Sequence, residues 1–192
     1  MDRDRLTAFT DGVLAIIVTI MVLEMRPPHG VTLRELAALW PLFVSYVLSF
    51  VYIGIYWTNH HHFFQLVKTV DGGLLWANLH LLFWLSLVPF ATEWMGENDF
   101  APAPTALYGL SLLMPALAWL VMQRTILRRE GEGSVLRRAL GADLKGKLSP
   151  FIYIAGIGLS FVDTRLAGLA YLAVSLMWLV PDRRVERAIG EA

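Results

Sequence analysis

An α-helix needs about 20 predominantly apolar residues to cross ~30 Å of bilayer hydrocarbon. This 192-residue chain contains six runs near that length, at about 5–26, 33–68, 73–94, 104–128, 148–162 and 165–180. In lipid every backbone polar group must be satisfied within its own segment, so runs of this kind become helices. Composition agrees: 56% of the residues are hydrophobic and 17% charged, against roughly half and a quarter in ordinary soluble domains. The expected fold is an all-α integral membrane protein, a single domain over 1–192. The first run stops at Pro27-Pro28, which cannot continue a helix. The second opens with the capping box Thr32-Leu-Arg-Glu35. The last two are short and joined only by Asp163-Thr164-Arg165, which makes them a tight hairpin. The first run lacks a small-residue cleavage site and is too long for the apolar part of a signal peptide, so it is taken as the first span.

Orientation follows from the basic residues, which are retained on the cytoplasmic side when they lie in short loops. With the N-terminus inside, thirteen of the sixteen Lys and Arg residues fall on the inner side, and only Arg26, Arg34 and Arg165 fall outside. Six spans with both termini cytoplasmic are therefore expected, in a prokaryotic plasma membrane. Between the fourth and fifth runs, residues 134–145 place Val135, Leu136, Ala139 and Leu140 beside Arg137 and Arg138 at helical spacing, the pattern of a helix lying along the inner face. Several functions are excluded. Net charge is zero, which gives no basic surface for nucleic acid. There is no cysteine, no Walker motif and no G-x-S-x-G, which excludes thiolate metal sites, a cysteine nucleophile and a phosphate loop, and neither an enzyme nor a bound cofactor is expected.

Polar residues inside the apolar runs are the informative ones. By a rise of 1.5 Å per residue, Asp11 lies roughly 9 Å into the first helix, Asn59, His60 and His61 roughly 10 to 14 Å back along the second, and Asn78 and His80 roughly 9 to 12 Å into the third. Polar groups in lipid are unfavourable unless they face one another. An interhelical hydrogen-bond cluster of Thr10, Asp11, His60 or His61, and Asn78 is the expectation. At about 100° per residue, Gly12, Thr19, Ile20 and Leu23 fall within about 60° of Ile16, whereas Asp11 is about 140° away. The first helix thus has an Asp11 face expected to dock on the second and third helices of its own subunit, and an opposite face, with Arg5 near its inner end, for lipid, a neighbouring subunit or an axis.

These residues carry a resemblance. "RLTAFTD" (Arg5, Phe9, Thr10, Asp11) resembles the R-x-x-x-F-S-D signature that opens the first helix of bacterial relatives of the endolysosomal potassium channel, the transmembrane protein 175 family, with threonine for the commoner serine. "YWTNHHHFF" (Trp57, Asn59, His60, His61) is similar to its W-x-N-H-H pattern, and "NLHLLFWLSLVPFAT" from Asn78 to its third-helix pattern. The match is close over the first three helices; the last three match by number and hydropathy alone. The resemblance implies a potassium-permeable cation channel without a carbonyl filter loop, and no T-V-G-Y-G stretch occurs. It implies a homotetramer whose first helices line the pore. Ile16 would be the main constriction, Thr19 a ring of hydroxyls near a permeating K+, and Ile20 and Leu23 the outer narrow part. Partners would be lipid, monovalent cations and further copies of the chain, with modest preference for K+ over Na+.

Two other classes compete. "NHHHF" invites a metal site, but adjacent helical residues point about 100° apart, so at most two of these histidines could share one ion. A proton-coupled transporter or proton leak would use Asp11 and His60 as a relay, yet the last three helices add almost no ionisable group to extend it, and no inverted repeat is evident.

Overall fold

The computed structural model describes residues 2–67, 69–130 and 143–179, with two isolated positions at 134 and 137. Every regular element within them is helical. Helix α1 spans Arg3–Glu24, and the Asp2 side chain caps it by accepting from the Asp4 backbone N–H. The predicted capping box forms: the Thr32 N–H donates to Glu35 Oε2 at 3.0 Å, and the Glu35 N–H to Thr32 Oγ1 at 3.4 Å. It starts a short helix, α2 (Leu33–Ala38).

The expected 33–68 helix is in fact two, because α3 (Trp40–Gln65) begins anew after Leu39. Pro41, in the first turn of α3, has no N–H to offer the Ala37 carbonyl, so the ladder breaks just before it. The third run divides in the same way into α4 (Gly72–Leu85) and α5 (Val88–Glu97). Pro89 lacks the N–H that would reach the Leu85 carbonyl, and Leu87 turns back to the Trp84 carbonyl at 3.2 Å instead. Helix α6 (Pro102–Glu130) stays continuous through Pro115. Helix α7 (Leu144–Leu159) starts four residues before the expected boundary, since Asp143 caps it by accepting the Gly146 N–H at 3.1 Å. Helix α8 covers Thr164–Leu179. Most of the inner-face helix expected at 134–145 lies outside the described residues, as do Lys68 and the basic C-terminal stretch.

Among the described residues, four stretches are long and apolar enough to cross a membrane: Arg3–Glu24, Trp40–Gln65, Gly72–Glu97 and Pro102–Glu130. Helix α6 is central and packs on α4, α5, α7 and α8, while α1 lies against α3, α4 and α5. At one end of the bundle, Arg3 donates to the Gln65 carbonyl, Asp71 pairs with Arg129 at 2.6 Å, and Gln123 donates to Asp143 at 3.0 Å. This end joins the N-terminus of α1 to the ends of α3, α4, α6 and α7. One core cluster, with Leu6, Phe63, Phe64, Leu74 and Leu81, holds α1 to its neighbours. A second, around Tyr52, Tyr108, Tyr153 and Tyr171, holds the α3, α6, α7 and α8 side. Close approach decides one glycine: a Cβ on Gly96 would lie 2.7 Å from the Leu42 Cα, so α3 and α5 meet there backbone to backbone.

Candidate functional site

The first helix divides into two faces. Leu6, Thr10, Leu14, Ile17 and Met21 recur every three or four residues and are buried, so the helix docks through a stripe centred about 120° from Ile16. On the other side Phe9, Ile16, Ile20 and Leu23 are 55%, 59%, 38% and 77% exposed. Gly12 and Thr19 share this face, and a Cβ on Gly12 would meet nothing within 4 Å. Arg5 lies in line with it at the N-terminal end and is exposed, with no ion pair among the described residues. Thr19 Oγ1 donates back into its own helix, to the carbonyls of Ile16 (2.9 Å) and Ala15 (3.1 Å). Its only proton is spent inside, so the oxygen presents lone pairs outward.

Beside this stripe a groove of about 870 Å³ runs between α1 and α5, lined by Ile16, Ile20, Pro89 and Phe90, with Glu24 and Glu93 also on its walls. Ser86, at the break between α4 and α5, belongs to its wall, and its hydroxyl donates to the Phe83 carbonyl at 2.7 Å.

On the docking face, Asn78 bridges two helices. Its amide Nδ2 donates to Thr10 Oγ1 at 2.9 Å, and its Oδ1 lies 3.0 Å from His60 Nε2. Because Oδ1 can only accept, the imidazole Nε2 carries the proton. Thr10, His60 and Asn78 are each at most 2% exposed, and the His60 ring stacks on Phe64 at 4.2 Å. A fully satisfied polar layer of this kind fixes the rotation of α1, α3 and α4 relative to one another.

Asp11 makes an interhelical bond as expected, but to Trp57 of α3 and outside the Thr10–Asn78–His60 layer. It sits one residue, hence about 100°, past Thr10, is exposed, and accepts from Trp57 Nε1 at 3.1 Å. Equal depth does not determine azimuth. The same correction applies to two further residues. His61 stacks on Trp57 and accepts from Gln65 Nε2 at 2.9 Å within its own helix. Asn59 donates to the Ile55 carbonyl at 2.8 Å and faces the side of α3 that meets α6 and α7. His80 likewise stays local and accepts from Trp84 Nε1 at 2.9 Å. The three consecutive histidines diverge, and among the described residues no three His, Asp or Glu side chains converge as metal ligands.

A second polar layer was not anticipated. The Ser49 hydroxyl lies 2.7 Å from Thr92 Oγ1 and 3.0 Å from the Tyr108 hydroxyl, and the Tyr171 hydroxyl donates to the Thr105 carbonyl at 3.2 Å. Single Ser, Thr and Tyr residues are too common in apolar helices to mark such a layer; only comparing their depths across α3, α5 and α6 would have suggested it.

Comparison with known proteins places this geometry in context. Residues 5–89 match the family model described as endosomal/lysosomal potassium channel TMEM175. A potassium channel of Chryseobacterium sp. (strain P1-3) is 50% identical over 191 residues, covering 100% of both chains. The human endosomal/lysosomal proton channel TMEM175 is 27% identical over 105 residues, which is 48% of this chain and 21% of that protein. Among solved structures, the crystal structure of a lysosomal potassium-selective channel TMEM175 homolog from Chamaesiphon minutus superposes with a TM-score of 0.84 at 26% identity, covering 94% of this chain and 97% of that one.

Proposed function

Because the chain belongs to the TMEM175 family, we propose that it forms a potassium-permeable cation channel, and not an enzyme, in which four copies surround a pore lined by α1. The observation that carries this is the uncovered α1 stripe. A face that is apolar at Ile16, Ile20 and Leu23, carries outward lone pairs at Thr19 and a small residue at Gly12, and lies opposite a fully packed face suits an axis between copies. One helix cannot enclose a pore, so a closed ring is the physical requirement. The groove between α1 and α5 offers the neighbouring α1 a seat.

Four isoleucine side chains meeting at the axis form an apolar constriction that gates by dewetting. Thr19 oxygens, with their protons held in the helix, offer a partly dehydrated K+ four acceptors. Selectivity then rests on pore width and hydroxyl oxygens instead of a carbonyl cage, and is modest. In this arrangement all six apolar runs span a prokaryotic plasma membrane, with α2 outside, both termini in the cytoplasm and most of the basic residues with them.

A proton route through Asp11 and His60 has a weaker basis. Proton-channel relatives favour it, but the imidazole donates to Asn78 while the carboxylate accepts from Trp57, and no hydrogen bond joins the two.

The test is current through purified protein in planar bilayers under a potassium/sodium gradient, for the native chain, Ile16→Asn and Thr19→Val. A cation-selective current is expected, with Ile16→Asn raising open probability and Thr19→Val shifting the reversal potential. If both variants conduct as the native chain does, α1 does not line the pore; if ions move only under a proton gradient, the transporter is the better description.

A further inference from the structure

The bundle carries a second open feature away from α1. Between α3 and α8 runs a groove of about 1960 Å³, with walls that include Val44, Val47, Leu169, Leu172 and Leu176. It contains no α1 residue, so the meeting of α1 stripes at an axis does not itself fill it. Thr164 and Leu179 both line it, which gives a length of about 22 Å along α8. That exceeds one leaflet, half of a ~30 Å hydrocarbon core.

Three polar groups stand at the end where α8 begins. Arg165 and Asp99 are both exposed on the groove, and among the described residues neither side chain has an ion pair. The third is Thr105, in the first turn of α6. It is only 1% exposed, it lines the same groove, and its hydroxyl has no hydrogen-bond partner. A threonine at such a position ordinarily satisfies itself on its own helix, and an unmade buried hydrogen bond is unfavourable. Its backbone carbonyl is already taken by the Tyr171 hydroxyl.

We propose that this groove is a specific site for one glycerophospholipid with a protonated amine head group, phosphatidylethanolamine in chemical terms. The Arg165 guanidinium takes the phosphate, Asp99 the ammonium, the Thr105 hydroxyl donates to a glycerol-ester carbonyl one layer deeper, and an acyl chain lies along the α3–α8 walls. The pairing of one cation with one anion is what selects a zwitterionic lipid over an anionic one, since Asp99 repels a head group that is negative only. The inference rests on α3 and α8 lying in the membrane and is independent of ion conduction.

The experiment is native mass spectrometry of the purified full chain, equilibrated with equal amounts of phosphatidylethanolamine and phosphatidylglycerol. One phosphatidylethanolamine per chain should be retained preferentially. Arg165→Gln should lower its retention about tenfold, the loss of one charge-assisted contact. Asp99→Asn should abolish the preference between the two lipids. Gly168 lines the groove and a Cβ there meets nothing within 4 Å, so Gly168→Trp should fill the site without disturbing the bundle. Gly168→Leu serves if the larger residue prevents folding. Thr105→Val supplies a readout that a structural role would not give. It should melt higher than the native chain in lipid-free detergent, because the orphaned hydroxyl is gone, and lose that advantage when phosphatidylethanolamine is added. Undiminished retention in Gly168→Trp, or equal retention of both lipids by the native chain, would overturn the proposal. So would a fall in the number of copies per complex on filling the groove with lipid retention unchanged, which would make it a contact between chains.

Discussion

Asn78 is the residue on which three helices agree, because one amide serves Thr10 on α1 and His60 on α3 at once. Replacing it with the nearly isosteric leucine leaves both partners buried and unsatisfied. Asn78→Leu should therefore cost about 2 to 6 kcal/mol, at 1–3 for each stranded group, read as a lowered melting midpoint of the purified protein. Thr10→Val strands one amide hydrogen alone and should cost about half as much. The types and depths of these residues were legible in the sequence. Asp11 was not, because its charge draws attention while its azimuth, one residue past Thr10, sends it to Trp57 on the exposed side. The more conspicuous residue proved peripheral, and the plain threonine before it is the buried one.

Among the elements, two runs that look continuous are divided just before Pro41 and Pro89, where an N–H is missing. The same loss at Pro115 leaves α6 unbroken, so a proline marks where a helix can part and its packing decides whether it does. The tie between α4 and α6 is different in kind. Asp71 caps α4 by accepting the Leu74 N–H at 2.9 Å and meets Arg129 from the far end of α6 at 2.6 Å. The Leu74 N–H, helped by the Arg129 guanidinium, holds its carboxyl below the usual carboxylate range. A depressed folded-state pKa stabilises above the unfolded value, near ~4, and that contribution is lost as pH falls through the folded value. Acidification below about pH 4 should accordingly lower the melting midpoint of the native chain more than that of Asp71→Ala. A pair of thermal unfolding series, at neutral and acid pH, checks this; parallel curves would show that the tie contributes nothing.

For the whole molecule, the asymmetry of α1 is the property on which the proposed pore rests. Its outer stripe is left largely exposed by the subunit, and Gly12 has open space where a side chain would begin. Gly12→Leu should leave the melting midpoint of the subunit within about 0.5 kcal/mol of native, as surface substitutions usually do. It should sharply reduce single-channel conductance if four such residues approach one axis. Unchanged conductance with unchanged assembly would move α1 from the axis to the lipid boundary. The mass of the purified complex, measured by light scattering, should correspond to four 21.6 kDa chains.

The sequence by itself determined what depends on neighbours along the chain: apolar length, the Thr32–Glu35 cap, and the apolar stripe of α1 through Ile16, Ile20 and Leu23. These are set by helix geometry, which repeats whatever the helix packs against. Tertiary structure alone decided which polar residues of equal depth are partners, where α3 and α8 part to leave a groove, and that Thr105 is buried without one. Those outcomes depend on how each helix is rotated about its axis. With about 100° between successive side chains, a rotation by one residue exchanges a buried partner for an exposed one, and only the packing of all the helices together fixes that angle.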